Sequence, residues 1–409
     1  MNGEEKKTTA VVPAATKSVE LVKKDGYWGS VASRYTLIKR ILVIALILFI
    51  VFFMIFFSRA FTYDSLFSFF KDLQSVAAFV PSDYQTVTAT YHEGEEYVLA
   101  YRGGVAFVNG RGIEIYSPDC KRLLDVEGEF TAPRAVSSRK YLLSFDQEGN
   151  TFVVTSAYSK LYEGKTDFPI LGAEVSDSGH FALITGSDTA LSVVLLYDSN
   201  FNLIQRFERA SATVSVAISD NGKRIALLGA VAEQGKIAAK LDVFKLGESE
   251  AENTLLLEDE MPLSLGFTDN KHLALLTNRA LTFTEIDLAK KTRYLLKDRT
   301  IVDFTVNADG AALVLEGDAL KAEHTVLAFD EKGEKILDRL FKGDVKAVDR
   351  KENQLFLLAT DCVVRYDCKE ETENVYQLEK EARDLFAAGD NGVRVIYPAK
   401  AEYVYFDEP

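Results

Sequence analysis

One feature constrains this chain more than any other: after residue 84 a unit of about 40 residues recurs to the C-terminus. One half of the unit is a tight turn followed by an apolar run. It reads VSDSGHFALI at 175–184, ISDNGKRIALL at 218–228, FTDNKHLALL at 267–276, VNADGAALVL at 306–315 and AGDNGVRVIY at 388–397, with weaker copies at 136–145 and 348–358. The other half is an apolar run closing on an aromatic or apolar residue, often with Asp next, then a polar turn and another run. Examples are LLYDSNFNLIQRF at 195–207 and LAFDEKGEKILDRL at 327–340. Asp and Asn bond locally to the backbone and Gly accepts positive φ, so these are hairpin turns and the runs are strands. Taking the turn at 104, 139, 179, 222, 271, 310, 352 and 392, the spacings are 35, 40, 43, 49, 39, 42 and 40. Four strands in about 40 residues is the period of a propeller blade, and stacking blades in a ring buries both faces of every sheet. The expectation over 82–409 is therefore an all-β fold, a β-propeller of eight four-stranded blades. The last unit lacks a strand, which YQTVTATY at 84–91 can supply from the other end of the domain. Seven blades is the alternative, because the first two units are the least regular.

The N-terminal part is of another kind. Residues 41–57, ILVIALILFIVFFMIFF, are seventeen consecutive apolar residues. As a helix they span about 25 Å, the short end of what crosses a bilayer. A buried core helix is rarely apolar on every face. A cleaved signal peptide would end in small residues, whereas this run ends Phe56-Phe57-Ser58-Arg59. The expected organisation is a disordered cytoplasmic tail at 1–36, a transmembrane helix at 37–59, a juxtamembrane helix or stalk at 60–81 and the propeller beyond. Lys23, Lys24, Arg34, Lys39 and Arg40 precede the apolar run, and only Arg59 and Lys71 follow within a similar distance. That asymmetry places the N-terminus in the cytoplasm and the propeller outside. Leu66, Phe69, Phe70, Leu73, Ala77 and Val80 give 64–80 one apolar helical face, suited either to the outer leaflet or to the underside of the β-domain.

Charge follows the same division. Residues 1–59 carry nine Lys and Arg against four Asp and Glu, and the remainder 38 against 57. A domain of net charge −19 repels nucleic acid and anionic lipid, so nucleic acid is not expected as a partner. Three cysteines, Cys120, Cys362 and Cys368, are too few for a disulfide framework, and the last two lie about 20 Å apart if on one strand.

The order basic tail, single apolar helix, then weak repeats resembles a group of uncharacterised membrane-anchored β-propeller-like proteins of Gram-positive, clostridial-type bacteria, known only as a domain of unknown function. GGVAFVNGRGIEIYSPDCKRLLDV at 103–126 is similar to the opening unit of that group. The resemblance implies no catalytic residues. A WD-repeat protein is a poorer match, since the one tryptophan, Trp28, lies outside the repeats.

Motifs for chemistry are sparse. Of His92, His180, His272 and His324, the middle two follow equivalent hairpin turns, and no zinc spacing occurs. Ser68 with Lys71, and Ser137 with Lys140, fit Ser-x-x-Lys; Ser219-Asp220-Asn221 fits Ser-Asp-Asn, but it is one copy of the repeated turn and no Lys-Thr-Gly follows. Glu248, Glu250, Glu252, Glu258, Asp259 and Glu260 read as one acidic loop without calcium-loop spacing. No catalytic, cofactor or metal residue is assigned. The expectation is a non-enzymatic, protein-binding or scaffold module of the cell envelope, anchored in the lipid bilayer through 41–57, with another envelope or membrane protein as partner. The alternative is a wall-polymer hydrolase or lyase with carboxylates at the propeller channel.

Overall fold

The computed structural model describes residues 27–56, 86–91, 94–317, 323–388 and 391–406, with helix side chains from 34 to 49. It falls into two units, Met1–Ser58 and Arg59–Pro409. The first contains helix α1, Tyr27–Phe56. The helix begins ahead of the expected boundary at 37, because no proline and only one glycine interrupts 27–56. Every described side chain from 34 to 49 is exposed, including Leu42, Ile44, Ile47 and Phe49. Among the described residues no helix is long and apolar enough to cross a membrane; the apolar run continues past the last described side chain, to 57. The helix expected at 64–80 lies outside the described residues, as do Ser68, Lys71 and the tail before 27.

The second unit is all-β, with eight four-stranded antiparallel sheets. Eight blades, not seven, are formed, because the first two units pair as fully as the rest. The first strands of the blades are β2 (Glu96–Tyr101), β6 (Pro133–Ser137), β10 (Ile170–Val175), β14 (Ala212–Ile218), β18 (Pro262–Phe267), β22 (Ile301–Asn307), β26 (Val345–Lys351) and β30 (Asp384–Ala387). Each neighbours the first strand of the next blade, and β30 neighbours β2, which closes the ring and makes these the inner strands. Blade 3 shows how burial follows position. Its second and third strands, β11 (Phe181–Thr185) and β12 (Ser192–Tyr197), are buried throughout, whereas its outer strand, β13 (Leu203–Arg209), is largely exposed.

The core lies between blades rather than at one centre. Each pair of neighbours shares an apolar cluster: Leu142 of blade 2 packs with Ile113 and Ile115 of blade 1, Phe181 with Phe152 across blades 2 and 3, and Phe356 with Val393 and Val395 across blades 7 and 8. The cluster of Val87, Phe107 and Ala401 joins blade 8 to blade 1. Strand β1 (Thr86–Thr88) pairs with β32 (Lys400–Tyr405), Val87 opposite Ala401, so the last blade takes its outer strand from the start of the domain as expected. Arg394, 1% exposed on β31 (Gly392–Tyr397), tightens this junction: its guanidinium lies over the Tyr403 ring and donates to the Pro118 carbonyl of blade 1. Arg350 does the same between blades 7 and 6, donating to the Asp309 and Phe329 carbonyls.

The repeated Asp after the third strand has a local role. The Asp198 carboxylate accepts from the N–H groups of Asn200 and Asn202, Asp330 from Lys332 and Glu334, and Asp367 from Lys369 and Glu370. Each closes the hairpin to the outer strand.

Candidate functional site

Neighbouring inner strands belong to different sheets and share no ladder, so their inward backbone N–H groups need other acceptors. Three aspartates on consecutive inner strands supply them. Asp303 of β22 accepts from Val348 N of β26 at 2.8 Å. Asp349 of β26 accepts from Ala387 N of β30 at 2.8 Å and from the Thr305 hydroxyl of β22 at 3.3 Å. Asp384 of β30 accepts from its neighbour Leu385 N. The bonds advance together along the chain, with Asn307 donating to the Arg350 carbonyl further on, so β22 and β26 run side by side in the same direction. All strand starts of this wall therefore open at one mouth of the channel.

Half-burial gives these carboxylates unusual proton affinity. Burial raises Asp303 and Asp349, against the backbone N–H bonds that oppose it. Asp384 is pushed up to about 6 by burial, with the charges of Asp303 and Asp349 adding to it. Across the ring, burial pushes Glu174 of β10 up to about 8, with a contribution from Asp220. Asp220 is itself raised by burial and by Asp177, whose carboxylate accepts from the Arg139 backbone N–H of blade 2. Near Asp384, the Arg134 guanidinium lies 5.4 Å from the centre of the Tyr97 ring. The channel wall formed by these strands is thus acidic.

A second concavity, about 850 Å3, lies at the outer side of blades 1 and 2. Its buried carboxylate, Glu114, is fully engaged: it accepts from Thr90 N and Oγ1 and from the Tyr116 hydroxyl at 2.7 Å. Burial and that carboxylate push the Tyr116 phenol up to about 12. This network fastens the segment after β1 to blade 1.

The residues singled out in the sequence do not converge. His180 bonds Ser178 in its own turn and burial lowers its pKa; His272 bonds Asp269 within its turn; His324 bonds the Gly343 carbonyl; His92 lies outside the described residues. Ser137 donates to the Ala100 carbonyl, and Ser219 bonds Asn221 inside the repeated turn. The acidic stretch is not one loop, because strand β17 (Asn253–Glu258) runs through it. Glu252 pairs with Arg224, Asp259 with Arg279, and buried Glu260 with Arg293 and the Thr277 hydroxyl. Among the described residues no group of three or more His, Cys, Asp or Glu side chains is placed to hold a metal ion. The cysteines are unpaired, with Cys362 at the start of β28 (Cys362–Asp367) and Cys368 just after it. Sequence reading missed Asp303, Asp349, Asp384 and Glu174. For Asp303 and Glu174 the one signal is a lone acid inside an apolar first strand, as in IVDFTV and LGAEV.

A closed ring of eight four-stranded blades with a first-strand channel and a borrowed outer strand defines a β-propeller. Within that class, residues 81–406 match the model of a family of unknown function, DUF5711, and the chain belongs to that family. No curated protein matches it. Solved structures share the fold at low identity. BamB from Moraxella catarrhalis is 12% identical with a TM-score of 0.51, over 79% of this chain and 98% of that one. Apo AztD from Citrobacter koseri is 9% identical with a TM-score of 0.51, over 79% and 99%. Chaetomium thermophilum Sqt1, solved bound to the N-terminus of ribosomal protein L10, is 12% identical with a TM-score of 0.51, over 78% and 100%.

Proposed function

We propose that this protein is a non-enzymatic, membrane-tethered scaffold of a Gram-positive cell envelope, whose propeller binds another envelope or membrane protein outside the cytoplasm. The observation that carries the scaffold role is the use of the channel carboxylates. Asp303 and Asp349 each hold the backbone of the next inner strand, so two of the channel carboxylates are structural members of the ring. A rigid ring of this kind presents loops and a channel mouth as a fixed surface, and function lies in that surface. The Sqt1 propeller, which holds the N-terminus of another protein, is a precedent for such use of the fold. For the tether, the support is the apolar sequence run 41–57, with every described side chain of helix α1 from 34 to 49 exposed and basic residues concentrated before the run.

Crosslinking in intact cells, followed by purification of the full chain, tests the binding role: a specific protein partner is expected, and recovery of none overturns it. Protease added to whole cells tests the topology; digestion of the propeller is expected, and its protection while other surface proteins are cut refutes the assignment. The second reading, a wall-polymer hydrolase or lyase, draws on the raised carboxyls Asp384 and Glu174 in one channel. Release of soluble fragments from wall polymer, lost in D384N, would favour it over the scaffold.

A further inference from the structure

A repeated irregularity sits at one mouth of the channel. In five consecutive blades, 3 to 7, the pairing of the first and second strands slips by one residue near the start of the first strand. Each slip is a β-bulge, which re-aims the extra side chain and is found at barrel rims and binding sites. The extra residues are Leu171, Val214, Leu263, Val302 and Lys346. Three are apolar and well exposed: Leu171 at 47%, Val214 at 42% and Val302 at 39%. Leu263 turns toward the core between blades 5 and 6, and Lys346 is bound by Glu381. The result is an apolar arc over blades 3 to 6. Just inside it lie Asp303, the residue after Val302, and Asp384, the first residue of β30, with Glu174 deeper.

Propeller packing does not require this arc. Blades 1, 2 and 8 form the same sheet without the bulge, so the bulge is not a condition of closure. Leaving three large apolar side chains in water forgoes the stabilisation that burial would bring. The acidic throat beneath is complementary to cations and the apolar arc above to aliphatic groups. We infer that this mouth is the partner-binding surface, and that its occupant is a basic amphipathic segment of another protein, with aliphatic side chains on the Leu171–Val214–Val302 arc and Lys or Arg directed at Asp303 and Asp384. The inference rests on the scaffold reading and names the chemistry of its partner.

The test uses the full chain in phosphatidylcholine nanodiscs, with empty discs subtracted, and three short fluorescent peptides alternating Leu–Lys, Leu–Glu and Ser–Lys. Anisotropy is expected to show binding of Leu–Lys, and binding at least about tenfold weaker for the other two. The Leu171→Ser/Val302→Ser double variant and D384N should each weaken the Leu–Lys peptide severalfold, with the circular dichroism spectrum unchanged. Leu203→Ser, on the outer strand of blade 3, should leave it unaltered. Equal binding of all three peptides, no binding, or full binding by folded Leu171→Ser/Val302→Ser overturns the inference. So does sedimentation that shows dimers dispersed by the serine variant, since the occupant is then a second copy of this chain. A partner crosslinked in cells equally well by wild type and the serine variant leaves the scaffold role standing and removes this mouth from it.

Discussion

Glu174 offers the sharpest test of the acidic channel wall. Its carboxyl, ordinarily near 4.5, is pushed up to about 8 by burial and by Asp220. In the unfolded chain it titrates near its ordinary value. Between those two pH values the folded protein holds a proton that the unfolded chain has released, so stability falls as pH rises across that window. At about 1.4 kcal/mol per pH unit, the loss is about 3 kcal/mol at pH 7 and approaches about 5 kcal/mol above pH 8. Below pH 4.5 both states are protonated and the loss vanishes. Glu174→Gln keeps the shape and removes the charge. The variant should match wild type near pH 5 and exceed it increasingly up to pH 9, by a margin worth several degrees in melting temperature. Denaturation of the two proteins in parallel at pH 5, 7 and 9 reads this directly, because Asp384 and Asp220 titrate in both and largely cancel in the difference. A margin that stays constant with pH, or one that grows toward acid, would refute a raised proton affinity at the partly buried Glu174 carboxyl.

Two further outcomes follow from the ring. Gly310 has φ of 120°, where a Cβ would also collide with the Phe329 carbonyl and the Arg350 guanidinium; Gly310→Ala should destabilise by about 2 kcal/mol or more in urea unfolding, and a neutral result would show that this turn has room. The Cys368 thiol is pushed up to about 11 by burial, so iodoacetamide at pH 8 should leave it unmodified in the native chain and alkylate it in urea; rapid native labelling by mass spectrometry would contradict its environment.

The blade period was legible because it is a local property. Turn chemistry at Asp198, Asp330 and Asp367, and two-residue alternation between turns, repeat whatever lies beside them, and the missing strand of the last unit announced the closure through β1. The acidic stretch at 248–260 misled for the converse reason: charge alone cannot show that 253–258 is a strand whose flanking carboxylates face separate cations.

From sequence alone came the repeat, the all-β class, a blade count of eight or seven and the apolar segment at 41–57, since each is written in spacing and hydropathy along the chain. Only tertiary structure decided that Asp303, Asp349, Asp384 and Glu174 share a channel, that buried Arg394 closes blade 8 on blade 1, and that Leu171, Val214 and Val302 form one arc. Those residues lie tens to hundreds of positions apart. Their juxtaposition arises from closing the ring, and no local pattern encodes it.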